Sequence, residues 1–160
     1  MAYSFMKEKI DLSVIVIDRE FMEHIVDDMV ALIHNWEFAE WQHSNFLLEL
    51  PGKYEFSFAL YQAKSLCGFC IASGKPPDIY YIHLMFINQE FRSLGLGRKM
   101  LDHARNICED RSLAKIKLRC TETNNLAHKF YLEYGFKDLC LVKDEVSGNY
   151  SDYILEYVVA

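Results

Sequence analysis

The stretch IYYIHLMFINQEFRSLGLGRKMLDHA, residues 79–104, joins a strand, a glycine-bearing loop and the start of a helix. Residues 79–87 are apolar almost throughout, which is typical of a central strand covered on both faces. Beyond the loop, apolar residues recur at helical spacing from Met100 to Cys108. The segment KIKLRC, residues 115–120, then alternates charged and apolar residues. Together these segments predict a strand, loop, helix and strand in crossover order.

The loop between the strand and the helix favours an anionic ligand. Gly95 and Gly97 allow close approach to the backbone, and the helix N-terminus offers unpaired N–H groups and the positive end of its dipole. Arg92, Arg98 and Lys99 add positive charge, and the first turn of the helix contains no acidic residue. This combination predicts a phosphate-binding loop, with a solvated cationic helix end as the alternative.

Two common phosphate-binding motifs do not fit this loop well. The Walker motif requires Gly-Lys-Ser/Thr, whereas Gly97 is followed by Arg98 and Lys99. The dinucleotide fingerprint requires a third glycine where Met100 stands and an acidic residue after the next strand, where Glu122 is loosely placed. A nucleotide-binding α/β protein that uses the loop for another phosphate is retained as an alternative.

The remaining segments predict a single mixed α/β domain over residues 1–160. The first helix follows Asp18 as a candidate N-cap, and the last helix ends at Gly135. A second helix is expected to end at the Pro51 and Gly52 turn, before a hairpin. The expected strands span 12–17, 54–61, 66–73, 136–142 and 150–159, and the expected helices span 21–33, 35–50 and 126–134.

Composition limits the classes of partner. The chain has a net charge of −6, with 17 Lys and Arg against 23 Asp and Glu, which argues against nucleic acid. The apolar run at 12–17 is too short for a membrane span or a signal segment, so we expect a soluble cytoplasmic protein with no membrane partner. An odd number of cysteines, five, favours reduced thiols. We interpret Cys67 and Cys70 as core residues and expect no metal site.

Two motifs, one after the other along the chain, indicate a resemblance to a known protein family. The loop reads Arg-x-x-Gly-x-Gly at Arg92, Gly95 and Gly97. The later segment reads Asn-x-x-Ala-x-x-x-Tyr-x-x-x-Gly-Phe, which places its residues at Asn124, Ala127, Tyr131, Gly135 and Phe136. The chain resembles the GNAT superfamily of N-acetyltransferases. The resemblance implies a mostly antiparallel sheet with a splayed pair of strands and flanking helices.

The resemblance also implies an acetyl-CoA-dependent N-acetyltransferase that acts on a primary amine by direct attack in a ternary complex. It places the pyrophosphate on the loop amides and the pantetheine arm on the strand before the loop. Asn124 would bond this arm, with a plain helix N-cap as the alternative role. The implied cofactor-binding residues are Met85, Phe86, Ile87, Arg92, Ser93, Leu94, Gly95, Leu96, Gly97, Arg98, Lys99, Asn124, Ala127 and Tyr131.

Acetyl transfer requires an oxyanion donor, a general acid and a path for the amine proton. By resemblance, the backbone N–H near Met85 serves the oxyanion and Tyr131 is the general acid, with a plain core aromatic as the alternative for Tyr131. Alternation places Tyr81, His83, Met85 and Ile87 on one strand face, and His83 is the candidate base. The alternative for His83 is a core histidine whose hydrogen bonds are satisfied. Tyr81 or a bound water is then the next candidate for the base.

The acceptor is expected to bind at the first two helices and the last two strands. Acidic and aromatic residues there suggest a cationic amine, such as a polyamine, an aminoglycoside-like amine, or a lysine or N-terminal amine of a protein. A solubilising acidic surface explains the same residues, and a non-catalytic acyl-CoA sensor or interaction module is the rival function. The oligomeric state stays open, a homodimer included. The residues are Trp36, Glu37, Phe38, Glu40, Trp41, Glu49, Asp144, Glu145, Tyr150 and Asp152.

Overall fold

The computed structural model describes residues 11–143 and 151–159. Within these residues, seven strands form one sheet in the order β1-β2-β3-β4-β5-β7-β6. The strands are β1 (Leu12–Val16), β2 (Phe58–Gln62), β3 (Ser65–Lys75), β4 (Ile79–Ile87), β5 (Lys115–Thr121), β6 (Lys137–Lys143) and β7 (Ser151–Val158). The helices are α1 (Arg19–Ile33), α2 (His43–Leu47), α3 (Lys53–Phe56), α4 (Leu96–Asp110) and α5 (Asn125–Tyr134), with a 3-10 turn at Gln89–Phe91.

The sheet confirms the predicted fold class. Each described neighbouring pair is antiparallel except β4 and β5, which run parallel. The parallel pairing ends at Ile82 and Leu118, although β4 continues to Ile87 and β5 to Thr121. The two strands therefore separate toward their C-terminal ends, and this is the splayed pair that the resemblance implied.

A β-bulge lies where this separation begins. The register between β3 and β4 steps from Ala72↔Ile82 to Ile71↔Leu84, so His83 is an extra residue on β4. The bulge exchanges the two faces of the strand. Ile82 packs in the core cluster that Met85 also contacts, whereas Leu84 lies in the other cluster.

The predicted alternation along β4 is therefore wrong across the bulge. Met85 and Ile87 contact the same core cluster as Ile82, which lies on the strand face opposite to Tyr81. Tyr81 consequently does not share a face with Met85 and Ile87. One added residue inverts the order of faces, since side chains alternate with a period of two.

Apolar cores cover both faces of the sheet, as expected for helices packed on its two sides. On one face, α4 contributes Met100, Leu101, Ala104 and Cys108, and α5 contributes Tyr131. On the other face, α1 contributes its predicted apolar stripe, including Met22, Ile25, Val26, Met29 and Ile33. Cys67 and Cys70 lie in the core as predicted, and burial raises the pKa of the Cys70 thiol to about 12.

Helix α1 has the predicted start and a sharp end. Asp18 Oδ1 accepts a hydrogen bond from the Phe21 amide at 2.8 Å, which confirms the N-cap. Asn35 has a φ of 63°, a left-handed conformation that stops the helix. Within the described ranges, no helix has the length and apolarity needed to cross a membrane.

The predicted helix at 35–50 is wrong, because only His43–Leu47 is helical. Two aromatic anchors hold the segment in an irregular path. Trp36 packs edge-on against Phe86 of the sheet, with ring centroids 5.1 Å apart, and Trp41 packs against Phe46 at 5.0 Å. The contact of Trp36 with the sheet is a tertiary contact that overrides the local helix propensity.

The start of the predicted strand at 54–61 is also wrong, because Lys53–Phe56 forms a helical turn. Gly52 has a φ of 72°, and its carbonyl accepts from the Glu55 and Phe56 amides, so it starts this turn rather than only ending a helix. Lys53 is 1% exposed, and its ammonium donates to the carbonyls of Phe46 and Leu48. The buried lysine thus joins α3 to the end of α2.

Candidate active site

A cavity of about 610 Å³ opens between β4 and β5 where the strands separate. Its volume is in the range typical of small-molecule sites. The divergence leaves residues 83–87 of β4 without a β5 partner, so this edge of the backbone faces the cavity. The same cavity is lined by the glycine loop, by the N-terminal part of α5 and by Trp36 and Phe38.

The two loop glycines have different physical roles. Gly95 is the N-cap of α4 with a φ of 76°, a conformation that disfavours side chains, and it supplies no side-chain cap. A Cβ built on Gly95 meets no atom within 4 Å, so the space beside it is open. A Cβ built on Gly97 would lie 2.9 Å from the Phe130 ring. Gly95 therefore gives the turn, and Gly97 lets α4 pack closely on α5.

The cavity has a positive lining. Among the described residues that line it, three are arginines, Arg92, Arg98 and Arg119, and none is acidic. Arg92 Nε donates to the Ile87 carbonyl at 3.1 Å, which ties the loop to the end of β4. The Arg98 guanidinium lies over the Tyr134 ring, 5.3 Å from its centroid. An uncapped helix N-terminus with these cations fits an anionic group such as a phosphate.

Tyr131 lies at the cavity with its ring in the core. The residue is 8% exposed, and its ring packs between Phe130 and Phe136 at centroid distances of 5.3 and 5.4 Å. Burial is the main reason that the pKa of Tyr131 lies well above its usual range. The negative charges that Cys120 and Cys70 would carry if ionised raise it further. The hydroxyl consequently keeps its proton at neutral pH.

His83 reaches the cavity from the bulge. Its Nε2 lies 2.6 Å from Ser73 Oγ, and its ring is 4.8 Å from the Tyr81 ring. Burial, and then the positive charges of Lys75 and Lys53, lowers the pKa of His83 to about 4. The imidazole is therefore neutral at neutral pH and retains a nitrogen lone pair.

The model of the acetyltransferase (GNAT) family matches residues 20–136, most of the chain and all of the site described above. The chain belongs to the GNAT family of acetyltransferases. The match spans the loop, α4 and the motif on α5, so the family resemblance seen in the sequence is confirmed.

Individual relatives fit this membership. N-alpha-acetyltransferase 50 of Danio rerio is 40% identical over 58 residues, 36% of this chain and 34% of that protein. The match thus spans about a third of the length of this curated relative.

Two solved structures share the fold. The ribosomal-protein-S18-alanine N-acetyltransferase of Escherichia coli has a TM-score of 0.79 at 17% identity, over 94% of this chain and 95% of that one. Arabidopsis thaliana Naa50, in complex with the bisubstrate analogue CoA-Ac-MVNAL, has a TM-score of 0.71 at 17% identity, over 91% of this chain and 97% of that one. At this level of identity the likeness concerns the fold alone.

The structure brings most of the predicted GNAT cofactor residues to one cavity. Phe86 points its side chain into the opposite core, and Leu94 and Lys99 are exposed outside the lining. Asn124 Oδ1 accepts from the Ala127 amide at 3.2 Å, so Asn124 caps α5 as well as lining the cavity. The predicted residues in the lining are Met85, Ile87, Arg92, Ser93, Gly95, Leu96, Gly97, Arg98, Asn124, Ala127 and Tyr131.

The predicted acceptor residues separate into two groups. Trp36 and Phe38 line the cavity, with their rings edge-on at 5.9 Å. Glu37, Glu40, Trp41, Glu49 and Asp152 are absent from the described lining, and Asp144, Glu145 and Tyr150 lie outside the described residues. Glu49 pairs with Arg19, and Asp152 pairs with Arg119 at 3.1 Å. The structure therefore brings Trp36 and Phe38 to the cavity, but neither Trp41 nor these carboxylates.

Sequence reasoning missed the contribution of β5. Arg119, Cys120 and Thr121 line the cavity because they follow Leu118, where pairing with β4 ends. Their position at the end of an alternating strand, just before the Asn124 motif, was the available signal. Burial raises the pKa of the Cys120 thiol to about 11, so this cysteine lines the cavity as a neutral thiol rather than as a nucleophile.

Proposed function

We propose that this protein transfers the acetyl group of acetyl-CoA to the α-amino group of a peptide or protein N-terminus, by direct attack in a ternary complex. The observation that carries the proposal is the cavity at the opening of β4 and β5. Its lining includes the cationic loop, Tyr131 and His83. We place the reaction in the cytoplasm, since the buried reduced thiols suit a reducing compartment.

Acetyl-CoA fits the residues present. The amides of Ser93 to Gly97 are available to its diphosphate, because α4 lacks a side-chain cap and an acidic residue in its first turn, whereas the Arg92 amide donates to the Gln89 carbonyl at 3.3 Å. The edge of β4 from Met85 to Ile87, which has no β5 partner, is available to the amides of the pantetheine arm. When bound, acetyl-CoA supplies an activated acetyl thioester to the amine.

The protein groups then divide the proton movements. The backbone N–H near Met85 stabilises negative charge that develops on the carbonyl oxygen. His83 accepts one proton from the attacking amine nitrogen, and Tyr131 donates one proton to the departing sulfur. The C–N bond forms as the C–S bond breaks, and solvent returns a proton to Tyr131 and removes one from His83. The products are an N-acetyl amine and a free thiol.

The weakness of His83 as a base favours an α-amine over a lysine or polyamine. An imidazole whose pKa is about 4 cannot deprotonate a free ammonium, but it can accept the acidic proton of an amine that is forming its bond to carbon. The amine must therefore arrive neutral. At pH 7 roughly one in ten α-amino groups is neutral, against fewer than about one in a thousand lysine side chains.

Other features support the same acceptor. The described cavity lining contains no carboxylate, so a polyamine or an aminoglycoside-like polycation would find little complementary charge there. Two of the relatives above are an N-alpha-acetyltransferase and a ribosomal-protein-S18-alanine N-acetyltransferase. The analogue bound to Arabidopsis thaliana Naa50 joins CoA to a peptide.

A peptide panel tests the proposal. We expect thiol release from acetyl-CoA with peptides that have a free N-terminus, and none with peptides of the same sequence that are N-terminally blocked but contain lysine. Spermidine represents the polyamines in the same thiol-release assay. Activity only with the lysine peptides or with spermidine would contradict the α-amine acceptor.

The rival function is a non-catalytic acyl-CoA sensor or interaction module. Tyr131 in the cavity lining argues against it, because a sensor needs no acid there. Thermal-shift titration with acetyl-CoA, CoA, NAD and ATP measures ligand choice separately from turnover. Stabilisation by acetyl-CoA without thiol release from any amine in the panel would favour the sensor.

A further inference from the structure

Ser73 lies directly behind the candidate base. Its Oγ is 2.6 Å from His83 Nε2, and the residue is 2% exposed. Ser73 pairs with Tyr81 across β3 and β4, so its side chain is on the face of Tyr81 and the neighbouring bulge residue. Of these three residues, only His83 is in the cavity lining. The hydroxyl therefore touches the ring from inside the protein.

This contact makes the two ring nitrogens unequal. Nε2 is engaged by a buried hydroxyl, so a proton that comes from the cavity must arrive at Nδ1. A neutral imidazole has one N–H and one bare nitrogen. For Nδ1 to be bare, Nε2 must carry the hydrogen and donate it to Ser73 Oγ. The opposite tautomer, in which Ser73 donates to Nε2, leaves the cavity side of the ring with no lone pair.

Burial, and then the positive charges of two lysines, keep the ring neutral before reaction. Lys75 of β3 lies over the Tyr81 ring, 3.6 Å from its centroid. The positive charge of Lys53 of α3 also lowers the pKa of His83. Beyond Tyr81, Arg119 of β5 pairs with Asp152 of β7. The tautomer, rather than the charge, therefore decides whether the imidazole can accept a proton.

We propose that Ser73 is a positioning residue that holds His83 in the Nε2–H tautomer and leaves Nδ1 to accept the proton of the attacking amine. This inference rests on the proposed function for the identity of the amine and for the role of His83. The hydroxyl acts through the imidazole and does not touch the reacting atoms. When Nδ1 accepts its proton, the Nε2–H bond to Ser73 is kept, so the ring does not have to rotate.

Nitrogen NMR of the full-length, ¹⁵N-labelled protein tests the tautomer directly at neutral pH. We expect the His83 shifts of a protonated Nε2 and a bare Nδ1. A ring with hydrogen on Nδ1 would overturn the proposal, and this result does not depend on finding a substrate. Failure of the proposed function would appear instead as absent thiol release across the peptide panel.

Substitutions give a second test. We expect Ser73→Ala to mix the two tautomers, to lower kcat about five- to tenfold with KM nearly unchanged, and to alter the acid limb of the pH–rate profile. Ser73→Thr retains the hydroxyl and should restore both readouts. An unchanged tautomer and pH profile in Ser73→Ala would also overturn the proposal. If that variant does not fold, the wild-type tautomer decides.

Ser57→Ala, between α3 and β2, is the matched control for the loss of a buried serine hydroxyl. Ser57 Oγ accepts from the Ala72 amide at 3.0 Å and donates to the Ala72 carbonyl at 3.2 Å. Its loss should lower stability without changing the His83 tautomer. A tautomer change in Ser57→Ala as large as that in Ser73→Ala would show a general effect of strand packing and contradict the specific role.

Discussion

Ile82 and Leu118 form the last pair of the parallel ladder between β4 and β5. Immediately after this pair, His83 forms the bulge and β4 loses its β5 neighbour. The opening of the sheet, the placement of the candidate base and the inversion of the β4 faces thus begin at one point in the fold. The cavity lies there because two strands that remain buried in the core separate at their ends.

Tyr131→Phe separates the proposed acid from its packing role. We expect turnover to fall about 100-fold or more, because the departing sulfur loses its proton donor. The affinity for acetyl-CoA should remain nearly unchanged, since the buried ring is retained. Steady-state kinetics and calorimetric titration measure the two quantities. Tyr153→Phe is the control, because that ring stacks on His128 away from the cavity lining. Unchanged turnover in Tyr131→Phe would remove its catalytic role.

The two loop glycines should respond differently to alanine. Gly95→Ala forces a side chain into a φ of 76°, which costs about 1 to 2 kcal/mol and should shift the loop. We expect acetyl-CoA affinity to fall about tenfold with a small change in Tm. Gly97→Ala places its Cβ 2.9 Å from the Phe130 ring. Its main effect should therefore be a fall in Tm rather than a fall in acetyl-CoA affinity. Equal behaviour of the two variants in titration and melting would contradict these separate roles.

His83 should contribute to the acid sensitivity of the fold. Its pKa falls from 6.5 to about 4 on folding, so between these pH values the unfolded chain binds the extra proton. This stability is present above pH 6.5 and is lost as the pH falls toward 4. We expect His83→Gln to remove roughly 1 to 2 kcal/mol of this pH dependence, after allowing for partial exposure. Urea unfolding at several pH values measures it, and an unchanged slope would show that the ring is not buried as described.

Lys53→Met should destabilise the segment around α2. The substitution leaves the buried carbonyls of Phe46 and Leu48 without their donor, at a cost of about 2 to 4 kcal/mol. Burial lowers the pKa of Lys53, so keeping its charge in the core already costs free energy. The destabilisation measured for Lys53→Met therefore reports the lost hydrogen bonds. The exposed Lys64→Met is the control. Equal midpoints of the two variants in chemical denaturation would mean that Lys53 has no structural role.

The elements with strong local signals were predictable from the sequence. The bounds predicted for the central strand, 79–87, agree with those of β4. The loop glycines line the cavity, as do Asn124, Ala127 and Tyr131 of the α5 motif. These features depend on apolar runs and on glycine and cap chemistry, which act within a few residues. The positions in the structure support these assignments, while the roles of Tyr131 and His83 stay predictions.

The features that depend on distant contacts were not predictable. Trp36 lies in an irregular segment, and its partner Phe86, on β4, is brought near by the tertiary fold. The bulge at His83 is a property of the register between two strands, and one strand alone does not reveal it. Arg119 enters the cavity only because β5 separates from β4.

A crystal structure of the protein with bound acetyl-CoA is the decisive measurement. We expect the diphosphate to accept hydrogen bonds from backbone amides between Ser93 and Gly97, with the thioester between Met85 and the Tyr131 hydroxyl. A diphosphate bound elsewhere, with these amides free, would contradict the proposed use of the loop and with it the acetyl transfer.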